Sequence, residues 1–113
     1  MGVKSQDIIA VAGGVTTGAV STVTVGNTSP GTVILAADAT RQYLSIANLS
    51  DERVDLNVSG GAAVSEQGTP LSAAAGEFAG GVYTAIGKAA QLAIYGICDS
   101  GTKSVAVQTL TTE

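Results

Sequence analysis

Across residues 41–58 the side chains alternate with a period of two. Leu44 and Ile46 alternate with Ser45 and Ala47, and then Val54, Leu56 and Val58 alternate with Asp55 and Asn57. That spacing puts the apolar set on one face of an extended chain and the polar set on the other, which predicts two half-buried strands. Between them Asn48-Leu49-Ser50-Asp51 supplies turn chemistry, so the two strands are expected to pair as an antiparallel hairpin. Short β-rich pieces recur at residues 8–12, 19–25, 32–35, 82–86, 91–98 and 104–110, and Glu77-Phe78 opens a further one. In the last piece Val105 and Val107 point one way, and Ala106, Gln108 and Leu110 the other. Gly13-Gly14, Gly26-Asn27, Ser29-Pro30-Gly31, Gly60-Gly61, Gly87-Lys88 and Ser100-Gly101 separate the pieces as turns, and Pro70 with its neighbouring glycines marks a longer loop. Helical periodicity is sustained nowhere, and Ala73-Ala74-Ala75 is too short and too closely flanked by glycine to nucleate a helix.

Such a series of short strands predicts an all-β chain: a small antiparallel β-sandwich, jelly-roll-like, or a β-barrel. The candidate core is Leu44, Ile46, Val54, Leu56, Val58, Phe78, Ile86, Ile94, Val105 and Val107. Residues 8–37 contain no charged side chain, whereas a solvated strand normally carries Lys or Glu on its outer face. The stretch is therefore expected either to be covered on both faces or to pack against another molecule. This divides the chain into an uncharged N-terminal arm or strand extension, 1–37, and a β domain, 38–113; one continuous domain over 1–113 is the alternative. The side chains through which the arm would associate are Ile8, Ile9, Val11, Val15, Val20, Val23 and Val25.

Composition narrows the function. The chain of 113 residues is long enough for one domain, but its 45% hydrophobic content is rich in Ala, with no Trp and one Phe. Small side chains bury little area each, so self-association, or docking on a larger surface, is an expected second source of stability. Charged residues make up 12% and the net charge is −4, which excludes the clustered Lys and Arg of a nucleic-acid footprint. No apolar run approaches the ~20 residues of a membrane span. Residues 8–15 read as a strand or arm, because Asp7 directly precedes them where a signal peptide would be basic. The start Met-Gly-Val-Lys-Ser-Gln lacks the Ser or Thr that N-myristoylation expects at its sixth position. Cys98 is the one cysteine, in an apolar run, which rules out an internal disulfide and predicts a buried thiol.

Catalytic chemistry has little to draw on. With no histidine there is no imidazole base for a Ser-His-Asp arrangement and no imidazole metal ligand, and one Cys holds no thiolate cluster. Asp51, Glu52, Asp55, Glu66 and Glu77 are the carboxylates from which an acid–base pair would be drawn; they are read as turn and strand-edge charges. Arg41 is expected to pair across the ladder with Asp55 or Glu52. The glycine pairs match no phosphate-binding loop. Tyr43, Tyr83 and Tyr95 are the aromatics on offer for a carbohydrate site, and they are read as core or interface side chains. No catalytic residue, cofactor or metal site is expected.

Five segments in order carry a resemblance: R-x-Y-L-S-I-A-N-L-S from Arg41, V-D-L-N-V-S-G-G-A-A from Val54, G-T-P-L-S-A-A-A-G-E-F from Gly68, Y-T-A-I from Tyr83 and S-V-A-V-Q-T-L from Ser104. This arrangement, over residues 40–113, resembles a loose group of small tailed-bacteriophage virion proteins; residues 8–37 lie outside it. The resemblance implies a structural part without catalytic residues, foremost a capsid decoration (cement) protein on the exterior of the head shell, made in the host cytoplasm. It implies the major capsid protein or another virion protein as partner, and a homo-oligomer with a trimer favoured. A neck or tail component, or a carbohydrate- or cell-surface-binding β module, is the alternative.

Overall fold

A computed structural model describes residues 16–75 and 80–112. Its strands are β1 Thr16–Val25, β2 Thr32–Leu35, β3 Arg41–Asn48, β4 Val54–Asn57, β5 Thr69–Leu71, β6 Val82–Ile86, β7 Ile94–Cys98 and β8 Lys103–Thr112, with a 3₁₀ helix, Gly87–Gln91, between β6 and β7. β1 lies against β8, β2 against β7, β3 against β6 and β4 against β5, all antiparallel. This is one long ribbon doubled back at the β4–β5 connection. Wrapping the ribbon adds β3 beside β8 and β4 beside β7. The result is two four-stranded sheets, β1-β8-β3-β6 and β2-β7-β4-β5. Eight strands wound in this way form a jelly roll, so the all-β expectation resolves to the sandwich form.

The core lies between the sheets. Val25, Leu44, Ile46, Val105 and Val107 face inward from one, and Ile34, Val54, Leu56, Ile94 and Cys98 from the other. Their period-two spacing is what lets each strand bury one face. Val58 packs against this cluster from just beyond β4 and is partly buried.

Three expectations are corrected. The hairpin over residues 41–58 does not form, because β3 and β4 belong to different sheets. Residues 49–53 are instead an arch over the end of the sandwich. Alternation buries the same side chains whether two strands lie side by side or face each other across a core, so it does not choose between them. Ile86 is not in the core but 74% exposed. Residues directly opposite in an antiparallel pair share a face, and Leu44 pairs with Ala85, so Ala85 turns inward and Ile86 outward. The expected strand over 91–98 is a strand only from Ile94, since Gln91 closes the 3₁₀ helix.

The N-terminal segment 16–37 is woven into both sheets: β1 pairs with β8 over ten residues and β2 with β7. Of the candidate arm side chains, Val25 is fully buried in the core, which corrects its assignment to an interaction surface. Val23 packs against the core and Val20 is exposed. Ile8, Ile9, Val11, Val15, Glu77 and Phe78 lie outside the described residues.

Candidate interaction surface

β3 carries a polar clamp at each end. At its start a register shift between Arg41 and Tyr43 re-aims the chain, so that Arg41 points inward and is only 3% exposed. Its guanidinium donates from Nε to the Ala90 carbonyl, from Nη1 to Ala36 O (3.0 Å) and from Nη2 to Leu92 O (2.8 Å). One planar fork thereby ties the β2–β3 loop to the 3₁₀ helix and the chain leaving it. Burial lowers the Arg41 pKa and the nearby Asp38 opposes that shift; an arginine in a protein stays charged regardless. The expected pairing with Asp55 or Glu52 is absent, and backbone carbonyls are the acceptors instead.

At the other end Asn48 is fully buried. Its Nδ2 donates to Glu52 O (2.8 Å), Leu71 O (3.1 Å) and Ser72 O (3.1 Å), while its Oδ1 accepts from Ser50 N (2.9 Å) and Ser50 Oγ (2.7 Å). The side chain from one sheet thus holds both the arch and the end of β5 in the other. No buried side-chain N or O atom among the described residues lacks a partner.

The carboxylates are spent on loops. Glu52 accepts from Asp99 N (3.0 Å), Ser100 N (2.8 Å) and Ser100 Oγ (2.7 Å), fastening the arch to the β7–β8 turn. Lys103 Nζ meets Asp51 Oδ1 at 2.9 Å. Arg53 Nε meets the buried Asp55 at 3.1 Å, and Asp55 also accepts the Glu66 N–H at 2.8 Å. Among the described residues no group of three or more His, Cys, Asp or Glu is placed to hold a metal ion. Cys98 is buried, and burial raises its pKa, so its thiol stays protonated.

These loop contacts set the acid response. Glu52 is held below the ordinary carboxyl range first by the Ser100 hydroxyl, Asp38 first by the Thr40 hydroxyl, and Asp51 first by Lys103. A carboxyl whose folded pKa lies below its unfolded value stabilises fully above the unfolded value, about 4, and loses that contribution as pH falls through the folded one. Stability is therefore expected to decline below about pH 4. Glu52→Gln should flatten this acid limb in calorimetric Tm values taken as pH is lowered. A limb as steep as that of the wild type would show that Glu52 does not hold the turn.

The outer face of the first sheet carries no charge. The strand pairings align it in three rows: Gly18, Leu110, Tyr43 and Ile86; then Val20, Gln108, Ser45 and Thr84; then Thr22, Ala106, Ala47 and Val82. Val20 and Ile86 are each 74% exposed, and Val82 and Leu110 are also exposed. At ~4.8 Å between strands and ~7 Å between rows, these twelve positions span roughly 400 Å². An area of that size matches the largest patch of an ordinary monomer, which is often functional, and here Gln, Ser and Thr are interspersed with the apolar side chains. Over Gly18, Val20, Tyr43, Gln108 and Leu110 the face sinks into a shallow depression of about 270 Å³. Sequence reasoning selected Val20 here but missed Val82, Leu110 and the outward setting of Ile86. The signal available was the lack of charge at alternate positions of β1, β3, β6 and β8 together.

No protein-family model, curated protein or solved structure matches the chain.

Proposed function

We propose that this chain is a non-enzymatic structural protein that assembles through the uncharged outer face of its first sheet, and that its place is a tailed-bacteriophage particle, foremost as a decoration protein on the head shell. One observation carries the assembly reading: three successive cross-strand rows without a charged side chain, while the described charges lie in the loops, on the 3₁₀ helix, or at Arg41, Asp55 and Lys103 away from that face. The virion assignment is supported by the motif order over residues 40–113 and by a jelly roll, an architecture that viral capsid and lectin domains share. Fold alone does not assign function, so the face and the motifs bear the weight.

A glycan-binding reading draws on the depression beside Tyr43, where an aromatic ring, the Gln108 amide and a glycine floor combine. Two measurements separate the readings. Quantitative mass spectrometry of purified particles of the phage encoding this chain should find it in numbers comparable with the main shell subunit. A handful of copies moves it to the neck or tail, and absence overturns the virion reading. Ser45→Glu places a charge at the centre of the face, between Gln108 and Thr84, and should leave a folded protein that no longer attaches. Normal attachment together with glycan-array binding would favour the second reading.

A further inference from the structure

Four strands border the sheets: β1 and β6 in one, β2 and β5 in the other. Natural sheets blunt such edges with shortness, charge, proline or bulges. β5 is three residues long and contains Pro70. β2 has four residues and a register shift between Val33 and Leu35. β6 has five and runs directly into the 3₁₀ helix. β1 has none of these devices. Its ten residues contain neither charge nor proline, and they pair with β8 in unbroken register from Thr16↔Thr112 to Val25↔Lys103.

Two contacts show which backbone groups leave the open side. The Thr17 carbonyl accepts from the Thr111 hydroxyl, so Thr17 points toward β8. In an extended strand N–H and C=O of one residue point the same way and alternate along the chain. One residue beyond β1, Gly26 keeps that alternation: its N–H donates to Thr32 Oγ1 (3.0 Å) and its carbonyl accepts from Cys98 N (3.0 Å), away from β8. Gly18, Val20, Thr22 and Thr24 therefore aim both groups off the open edge, and among the described residues no strand pairs there.

We infer that β1 of one copy pairs antiparallel with β1 of a second copy, fusing two four-stranded sheets into one of eight about a two-fold axis. Identical antiparallel strands are self-complementary, as an isologous interface requires. Centred on Val20, the register sets Val20 against its counterpart and Gly18 against Thr22, so that residues aiming groups outward meet one another. Every side chain along the seam is Gly, Ala, Ser, Thr or Val, so no like charges oppose although the chain carries −4. The described acidic residues sit on loops or on β4 of the other sheet. The pairing also extends the uncharged rows across both copies. Nine residues pair, giving a seam ~30 Å long at the low end of specific interfaces, so the dimer is expected to dissociate on dilution. It stands apart from any shell partner, and its two-fold symmetry differs from the trimer that the resemblance implies.

The test uses the full chain in sedimentation velocity over a dilution series, with amide hydrogen exchange by NMR. The mass should rise with concentration to twice the 11.0 kDa chain, and the amides of Gly18, Val20, Thr22 and Thr24 should become protected in parallel. Thr22→Pro removes an edge donor while sparing the β1–β8 ladder, and should raise the dissociation constant about tenfold or more. Val20→Lys keeps the donor but sets two cations face to face, and should weaken the dimer in a manner relieved by salt. A monomer at every concentration overturns the proposal, including one whose outward amides are protected at all dilutions because its own residues cover the edge. A trimer, or a dimer indifferent to both variants, overturns it equally.

Discussion

Arg41→Ala is expected to lower unfolding stability by about 2–4 kcal/mol, because the buried Ala90 carbonyl loses its donor and the part-buried carbonyls of Ala36 and Leu92 lose theirs. A buried acceptor without a partner costs about 1–3 kcal/mol, a cost that falls on Ala90, whereas water can reach the more open carbonyls of Ala36 and Leu92. Truncation also leaves a void that the packed surroundings fill only in part. Against a typical stability of about 5–15 kcal/mol, this is enough to unfold much of the population at elevated temperature. Arg41→Lys retains the charge yet offers one ammonium in place of a planar fork, and cannot reach three diverging carbonyls together. It should recover only part of the loss. Urea denaturation of the three proteins decides the matter: a midpoint for Arg41→Ala close to that of the wild type would show that the clamp is dispensable.

Asn48→Asp is the second large effect, and its direction with pH is diagnostic. The change is nearly isosteric but exchanges an amide donor for a carboxylate, directed at the carbonyls of Glu52, Leu71 and Ser72. Both the lost donor and the repulsion act at a fully buried position, and a loss of about 3–5 kcal/mol is expected at neutral pH. The introduced carboxyl has its folded pKa raised above the unfolded value, since the carbonyls disfavour its charged form. Its neutral form can donate one hydrogen bond, so the deficit relative to wild type should shrink as pH falls through that raised pKa. Asn48→Leu lacks the titration and should show a deficit that does not change with pH. Thermal unfolding of both variants across the acid range measures this. Parallel pH profiles for the two would mean that the side chain at position 48 does not touch those carbonyls.

The two clamps also show where a reading of the sequence stops. Both residues bracket the stretch whose alternation is clearest, and both would ordinarily be placed in solvent or a turn. Asn48 was legible as turn chemistry, and it does accept from Ser50 in that sense. Its three carbonyl partners, however, lie up to 24 residues away in the chain. Arg41 reaches 49 and 51 residues onward to Ala90 and Leu92, and nothing local marks those carbonyls as acceptors. The inward turn of Arg41 depends on a register shift against β8, a strand more than sixty residues away.

By itself the sequence determined most of the strands and which face most of them bury, but not β5, which lies in the segment that Pro70 and its glycines mark as a loop. A period of two in Leu44–Ile46, Val54–Leu56 and Val105–Val107 leaves an extended chain only one way to hide its apolar side chains. It also determined that charge is scarce and that imidazole is absent, which are matters of counting. Only the tertiary structure decided the partners. Seven connections join the eight strands, and all but the β4–β5 connection cross from one sheet to the other. Pairing therefore rests on contacts distant in sequence, and no local pattern encodes them. For the same reason the uncharged face became visible only when β1, β8, β3 and β6 were set side by side, since each strand supplies only three of its positions.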